Sequence, residues 1–338
     1  LTLGLILILL IVLFSPFIAK PVEQNLEFFL FVMGIIAAII SGVLTKELWI
    51  KALENPINIT LVVLLASLLF KWLKGHVERF ITKLTQVLEM HIFLTLMIVI
   101  LGLLSSIITA IVAAIILVSI ISILPIDKKT EIRIVILACF SIGFGSVLTP
   151  VGEPLATITT SKLNQDFSFL FQLVGMEVIV GVLVIGIFAL FFIRPTQLNK
   201  EAIHDKPESY KSILIRSIKI YVFVMGLTFL GSSYETLVNR YLLDLQVGYI
   251  YWMNMVSAVL DNATLASAEI SPAMESDTIR FILLSLVVSG GMLIPGNIPN
   301  IIAANKLDIT SKEWAKYGLP LGLTMMIIVF VYLTMQQV

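Results

Sequence analysis

Apolar runs recur along most of the chain, at 1–18, 26–45, 57–73, 131–149, 169–193, 213–232, 279–295 and 318–335. A helix needs about 20 such residues to cross a hydrocarbon core of about 30 Å. Each run therefore predicts a membrane-crossing helix. Residues 91–124 are too long for one ordinary crossing and are interrupted near the middle by Gly102, Ser105, Ser106 and Thr109. Two arms of about 15 residues would each reach about 22 Å, past the midplane but short of the far side. That spacing predicts a re-entrant hairpin.

The second half repeats the grammar. Residues 249–274, YIYWMNMVSAVLDNATLASAEISPAM, are broken at their centre by polar residues and stop near Pro272, which predicts a second hairpin. An amphipathic stretch precedes each hairpin, 71–90 and 233–248, and both read as interfacial helices. After each hairpin comes a helix that breaks at paired prolines, FGSVLTPVGEPLATI (144–158) and GGMLIPGNIPNII (290–302); Pro150 and Pro154 match Pro295 and Pro299 at an offset of 145 residues. The order predicts an internal repeat. Residues 1–56 form N-terminal scaffold helices and 57–193 the first repeat, with hairpin 91–124 and broken helix 131–165. A linker follows at 194–212, then the second repeat at 213–338, with hairpin 249–274 and broken helix 279–304.

Composition fixes the class: 59% hydrophobic and 13% charged residues, with mean hydropathy +1.05, exclude an ordinary soluble globule. The fold class is an all-α polytopic membrane protein. The opening run has no basic segment before it and no small-residue cleavage site after it, so it reads as a membrane helix and not as a cleaved signal. A net charge of zero without a basic block gives no nucleic-acid partner. The single Cys139 excludes an intramolecular disulfide framework, and His76, His91 and His204 match no metal spacing. No phosphate-binding loop, HExxH or nucleophile elbow is present, so neither an enzyme nor an ATPase subunit is expected.

Position gives the charges their meaning. With each hairpin returning to its own side, 71–90, 125–133, 194–219 and 305–316 fall on one face together with Lys20, and that face holds 17 of the 22 Lys and Arg residues. The positive-inside rule makes it cytoplasmic, as in a prokaryotic inner membrane. The two hairpins then enter from opposite faces, which is an inverted-topology repeat, an architecture common among secondary transporters.

Polar groups inside such a chain are costly and mark pathways or ligand sites. Asp261 sits mid-hairpin, with Asn262 and Thr264 adding neutral oxygens. Thr149, Gly152 and Glu153 occupy the first helix break; Asn297 and Asn300 occupy the second. Unwound backbone is tolerable at membrane depth only where it is buried in protein or lines a wet cavity. Hard cations take oxygen ligands, and a carboxylate can also carry the exchanged proton, so Asp261 and Glu153 are the expected sodium-binding pair. Ser105, Ser106 and Thr109 could ligate, or bond back to their own helix. Glu177 could relay protons or serve as a scaffold hydrogen bond. Glu269 lies eight residues beyond Asp261, about 80° round an ideal helix, so it need not face the same way.

At these residues the chain resembles the ion-transporter superfamily, which includes D-type sodium/proton antiporters, divalent-anion/sodium symporters and arsenite permeases. SAVLDNATLASA is similar to the antiporters' hairpin motif, and GSVLTPVGEPLAT and GGMLIPGNIPNII are similar to the Gly-rich broken helices; the small cation transporters of that superfamily are the nearest in kind. The resemblance implies a homodimer in the bilayer with a scaffold domain and a transport domain. It carries over Asp261, Asn262, Thr264, Thr149, Gly152, Asn297 and Asn300. Ser-Ser-Ile-Ile-Thr replaces the symporters' Ser-Asn-Thr in the first hairpin, and Glu153 adds a negative charge beside the glycine. Both departures favour a cation. The expected function is exchange of sodium (or lithium) for protons, with no cofactor beyond the transported ions; the alternative is a sodium-coupled symporter of a small anion such as a carboxylate.

Overall fold

The computed structural model describes residues 2–193, 209–241, 245–260 and 262–336. Asp261 lies outside the described residues, as does most of the linker. Within them the chain is all-helical, and five helices are long and apolar enough to cross a membrane.

The first two apolar runs become α1 (Thr2–Ile18) and α3 (Leu26–Ser41), joined by a short α2 (Lys20–Gln24). α4 (Lys46–Val87) is one helix of 42 residues. It merges the run at 57–73 with the amphipathic stretch at 71–90, which is therefore not a separate interfacial element. Lys71 and Lys74 end the apolar run without ending the helix, because lysine is a good helix former. The stretch at 233–248 behaves likewise: α10 (Tyr210–Tyr241) runs into it. α10 packs along α3 and α4, and Lys219 pairs with the buried Glu27 of α3 at 3.5 Å.

The run at 91–124 divides at Thr109 into α5 (Met90–Ile108) and α6 (Ala110–Ile121). The arms are unequal. α5 alone has 19 residues, enough for a full crossing by length, while α6 has 12. α7 (Lys128–Ser146), the break at 147–153 and α8 (Pro154–Leu163) follow, then α9 (Phe169–Phe192). In the second half, α11 (Val247–Met253) passes into a 3-10 turn, Asn254–Ala258, and α12 (Asn262–Glu269) begins immediately after Asp261. α13 (Ser276–Gly290) is separated from α14 (Ile298–Leu307) by a break holding the 3-10 turn Ile294–Gly296, and α15 (Ser311–Gln336) completes the order.

The packing of the second set mirrors that of the first. α4 packs on α6, as α10 does on α12; α5 packs on α7, as α11 and its 3-10 turn do on α13. α9 lies against α7 as α15 lies against α13. Across the sets the pairing is reciprocal: α8 packs on α12, and α14 packs on α6. The breaks also share one backbone. Ser146 and Gly290 end the first arms, Glu153 and Asn297 cap the second with φ −157° and −153°, and Asn164 and Asp308 close them in the left-handed region at φ 51° and 49°. Each pair lies 144 residues apart. The offset of 145 read from the prolines slips by one residue, since Pro154 is the first residue of α8 and Pro299 the second of α14. Either position suits proline, because first-turn N–H groups have no helical partner.

The outer helices turn their large apolar side chains outward: Ile187, Phe188 and Phe191 on α9, and Ile327 and Ile328 on α15, are exposed. The buried core centres on α7 and α13, whose residues 134–146 and 281–290 are buried without interruption. The two broken helices thus sit innermost.

Candidate functional site

Both breaks turn on a glycine pressed against the end of the preceding helix. A Cβ on Gly152 would stand 1.9 Å from the Ser146 carbonyl oxygen, and one on Gly296 would stand 2.3 Å from that of Gly290. No side chain fits at either point, so the chain can fold back only with glycine there.

The first break is held by the junction of α5 and α6. The Ala110 N–H donates to the Gly152 carbonyl at 2.8 Å, and the Thr149 hydroxyl donates to the Ser106 carbonyl. Between them Thr109 turns the chain at φ 74°, a conformation costly for a β-branched residue, while its hydroxyl caps α6 by accepting from the Val112 N–H at 3.3 Å. Ser105 and Ser106 spend their hydroxyls on carbonyls. Ser105 donates to Gly102 at 2.6 Å and Ile142 at 2.9 Å, joining α5 to α7, and Ser106 donates to Leu103 at 2.8 Å. Glu153, at the N-terminus of α8, is buried.

The second break satisfies itself. Asn300, fully buried, donates through Nδ2 to the carbonyls of Gly290 at 3.0 Å and Leu293 at 2.9 Å, and Asn297 Oδ1 accepts from the Asn300 N–H at 3.1 Å. The carbonyl partners fix the amide's orientation, because only its nitrogen can donate to them. Asn300 Oδ1 is then left buried with no hydrogen-bond partner. Asn297 Nδ2 fills the space over Gly143 on α7, 3.4 Å from where a Cβ would stand. The buried Asn262 brings its Nδ2 to the space over Gly290 on α13, at 3.5 Å. Asn262, Asn297 and Asn300 therefore gather where α13 ends and α7 passes. Thr264 follows within α12, which packs on α8.

Glu177 stands apart from this cluster. Its carboxylate accepts from Arg280 of α13 in an ion pair, which Gln336 of α15 joins. The arrangement joins three helices, α9, α13 and α15. Glu269, the last residue of α12, is 1% exposed, and the Asn254 side chain is its hydrogen-bonding neighbour. It lines a cavity of about 430 Å³ with Asn254, Tyr234 and side chains of α1.

Asn254 is the residue that the sequence reading passed over. Its Nδ2 donates to Ser285 Oγ at 2.9 Å, Ser289 Oγ donates to its carbonyl at 2.7 Å, and its Oδ1 has no partner. The signal was present as a lone amide in the apolar arm YIYWMNMVSAV. Along α13 the polar atoms thus run from Glu269 and Asn254, past Ser285 and Ser289, to Asn300. The orphaned side-chain atoms of Asn254 and Asn300 are both amide oxygens, acceptors that a cation satisfies and an anion does not.

Among the described residues no three His, Cys, Asp or Glu side chains gather as a metal site. The expected sodium pair includes Asp261, which lies outside them. A comparison with curated proteins finds no match. The family model described as DUF1646, a protein of unknown function, matches residues 2–336, and the chain belongs to that family.

Proposed function

We propose that the chain is a secondary active transporter that exchanges sodium (or lithium) for protons. The observation that carries the reading is the pair of orphaned amide oxygens on Asn300 and Asn254, with the buried Glu269 carboxylate near Asn254, next to a helix break whose backbone matches that before α8. Oxygen ligands suit hard cations, and a buried carboxylate that loses its proton gains a cation in exchange. Glu153 and Asp261 are the proposed exchanging carboxylates, with Asn262, Thr264, Asn297 and Asn300 as neutral ligands. Glu153 bears on the sign of the cargo. A helix N-terminus favours negative charge, and at α8 the chain supplies its own carboxylate where a transported anion would otherwise sit.

The reciprocal packing of α8 on α12 and of α14 on α6 supports an inverted repeat, with α5–α6 and α11–α12 as its hairpins. In that architecture alternating access moves the broken elements against the α3, α4 and α10 scaffold. Proteoliposomes containing a pH-sensitive dye test the reading. A sodium pulse dissipates a preset pH gradient in wild type, and Glu153→Gln and Asp261→Asn each slow this by roughly tenfold or more. Sodium-driven uptake of a carboxylate without proton movement would instead establish the anion symporter.

A further inference from the structure

A second cavity, of about 730 Å³, lies between α9 and α15 over the flank of α7. Its walls are apolar along most of its length, with Val180, Val184 and Phe188 on one side and Leu321, Met325 and Ile328 on the other. One end is cationic. Arg133 and Lys316 both line it, and among the described residues neither has a carboxylate within ion-pair distance. The acids near them in sequence are otherwise engaged: Glu131 pairs with Lys128, and Glu313 accepts from Thr310. The Arg133 guanidinium lies over the rings of Phe192 and Tyr317, at 4.8 and 5.2 Å, and its buried Nε has no hydrogen-bond partner. Glu177 closes the far end, neutralised by Arg280.

We infer that this cleft binds one anionic phospholipid, its phosphate held by Arg133 and Lys316 and one acyl chain laid between α9 and α15. Charge and length select this occupant. The phosphate supplies an anionic partner for two cations that pair with no carboxylate among the described residues and an acceptor for the buried Arg133 Nε, and basic pockets between membrane helices take anionic head groups. From Phe192 to Glu177 the groove follows α9 for about 22 Å, more than half of a hydrocarbon core of about 30 Å, which gives a tail its full run from the interface. A small soluble anion would use the basic end and leave the apolar walls exposed. The lipid would bridge the last helix of each set and so brace the two halves. The inference holds whichever ion the protein carries.

The test uses the whole protein, purified in detergent, stripped of lipid and titrated with phosphatidylglycerol or phosphatidylcholine, with bound lipid counted by native mass spectrometry. Wild type retains one phosphatidylglycerol and does not retain phosphatidylcholine. Arg133→Ala and Lys316→Ala each weaken retention by roughly fivefold, and together by roughly thirtyfold. Val184→Trp, which keeps both basic groups, blocks the groove and also loses the lipid, so it decides the matter if the alanine variants fold poorly. Equal retention of the two lipids would overturn the inference, as would unchanged retention in Val184→Trp or equal competition by inorganic phosphate. So would disulfide trapping of two copies through Val184→Cys, which would make the groove a dimer contact.

Discussion

The two helix breaks have the same backbone and are stabilised in different ways. In the second, Asn300 sends its amide back to the carbonyls that α13 leaves open, so the break is closed by a residue of its own following helix. The residue 144 positions earlier is Ala156, which has no such group. The first break takes its bonds from α5 and α6 instead, through Ala110 and Thr149. The carboxylate is also one-sided: Glu153 stands where the second break has Asn297. The two breaks thus share a common backbone with unequal chemistry. The second break is closed by its own residues, while the first is tied to the junction of α5 and α6.

The largest effect should come from the feature that the breaks share. Gly152→Ala and Gly296→Ala each force a Cβ onto a helix-end carbonyl, and backbone cannot yield as a flexible side chain can. Each substitution is expected to cost at least about 3 kcal/mol, the upper range for overpacking. Loss of monodisperse protein on size exclusion and a lowered thermal midpoint would register it. Gly75→Ala, where nothing lies within 4 Å of the added carbon, is the neutral comparison. If Gly152→Ala is as well tolerated as Gly75→Ala, the breaks do not share this fold-back.

Asn300→Ala probes the self-closed break alone. It removes the donor to two buried carbonyls and is expected to cost about 2 kcal/mol, since an unsatisfied buried group loses its solvation without recovery. Asn300→Asp keeps the orphaned oxygen but still removes the donor, so it should be no more stable than Asn300→Ala. If Asn300→Asp were as stable as wild type by thermal unfolding, the amide would not be what closes the break.

These contrasts were only partly legible in the sequence. Proline and glycine announced where helices stop, and the polar centres at Ser105–Thr109 and Asp261–Thr264 announced where apolar arms divide, because both signals act locally. The continuation of α4 through Lys71 and Lys74 was hidden, because hydropathy reports where a membrane run ends and not where a helix does. The prolines sit one residue out of step with the helix starts for a related reason: proline is tolerated at either of two first-turn positions, so it marks a helix start only to within a residue. The pairing of Glu177 with Arg280 joins residues 103 positions apart and leaves no local trace. Asn254 was visible as an amide in an apolar arm, but its partners Ser285 and Ser289 look like ordinary small core residues until α11 and α13 are packed together.

The smallest effect should come from untying the first break. Thr149→Val keeps the side chain's volume and removes one donor, the hydroxyl bonded to the Ser106 carbonyl at the end of α5. The net loss is expected to be about 1 kcal/mol, the usual worth of a single neutral hydrogen bond. Its location is more informative than its size. Amide hydrogen exchange should speed up at Ala110, whose N–H bonds the Gly152 carbonyl in the same junction, and should stay unchanged at Asn300, whose N–H is held within the second break. Equal acceleration at both amides would mean that the two breaks open as one unit. The division into a self-closed break and one secured by α5 and α6 would then not hold in solution, even though the static hydrogen bonds differ.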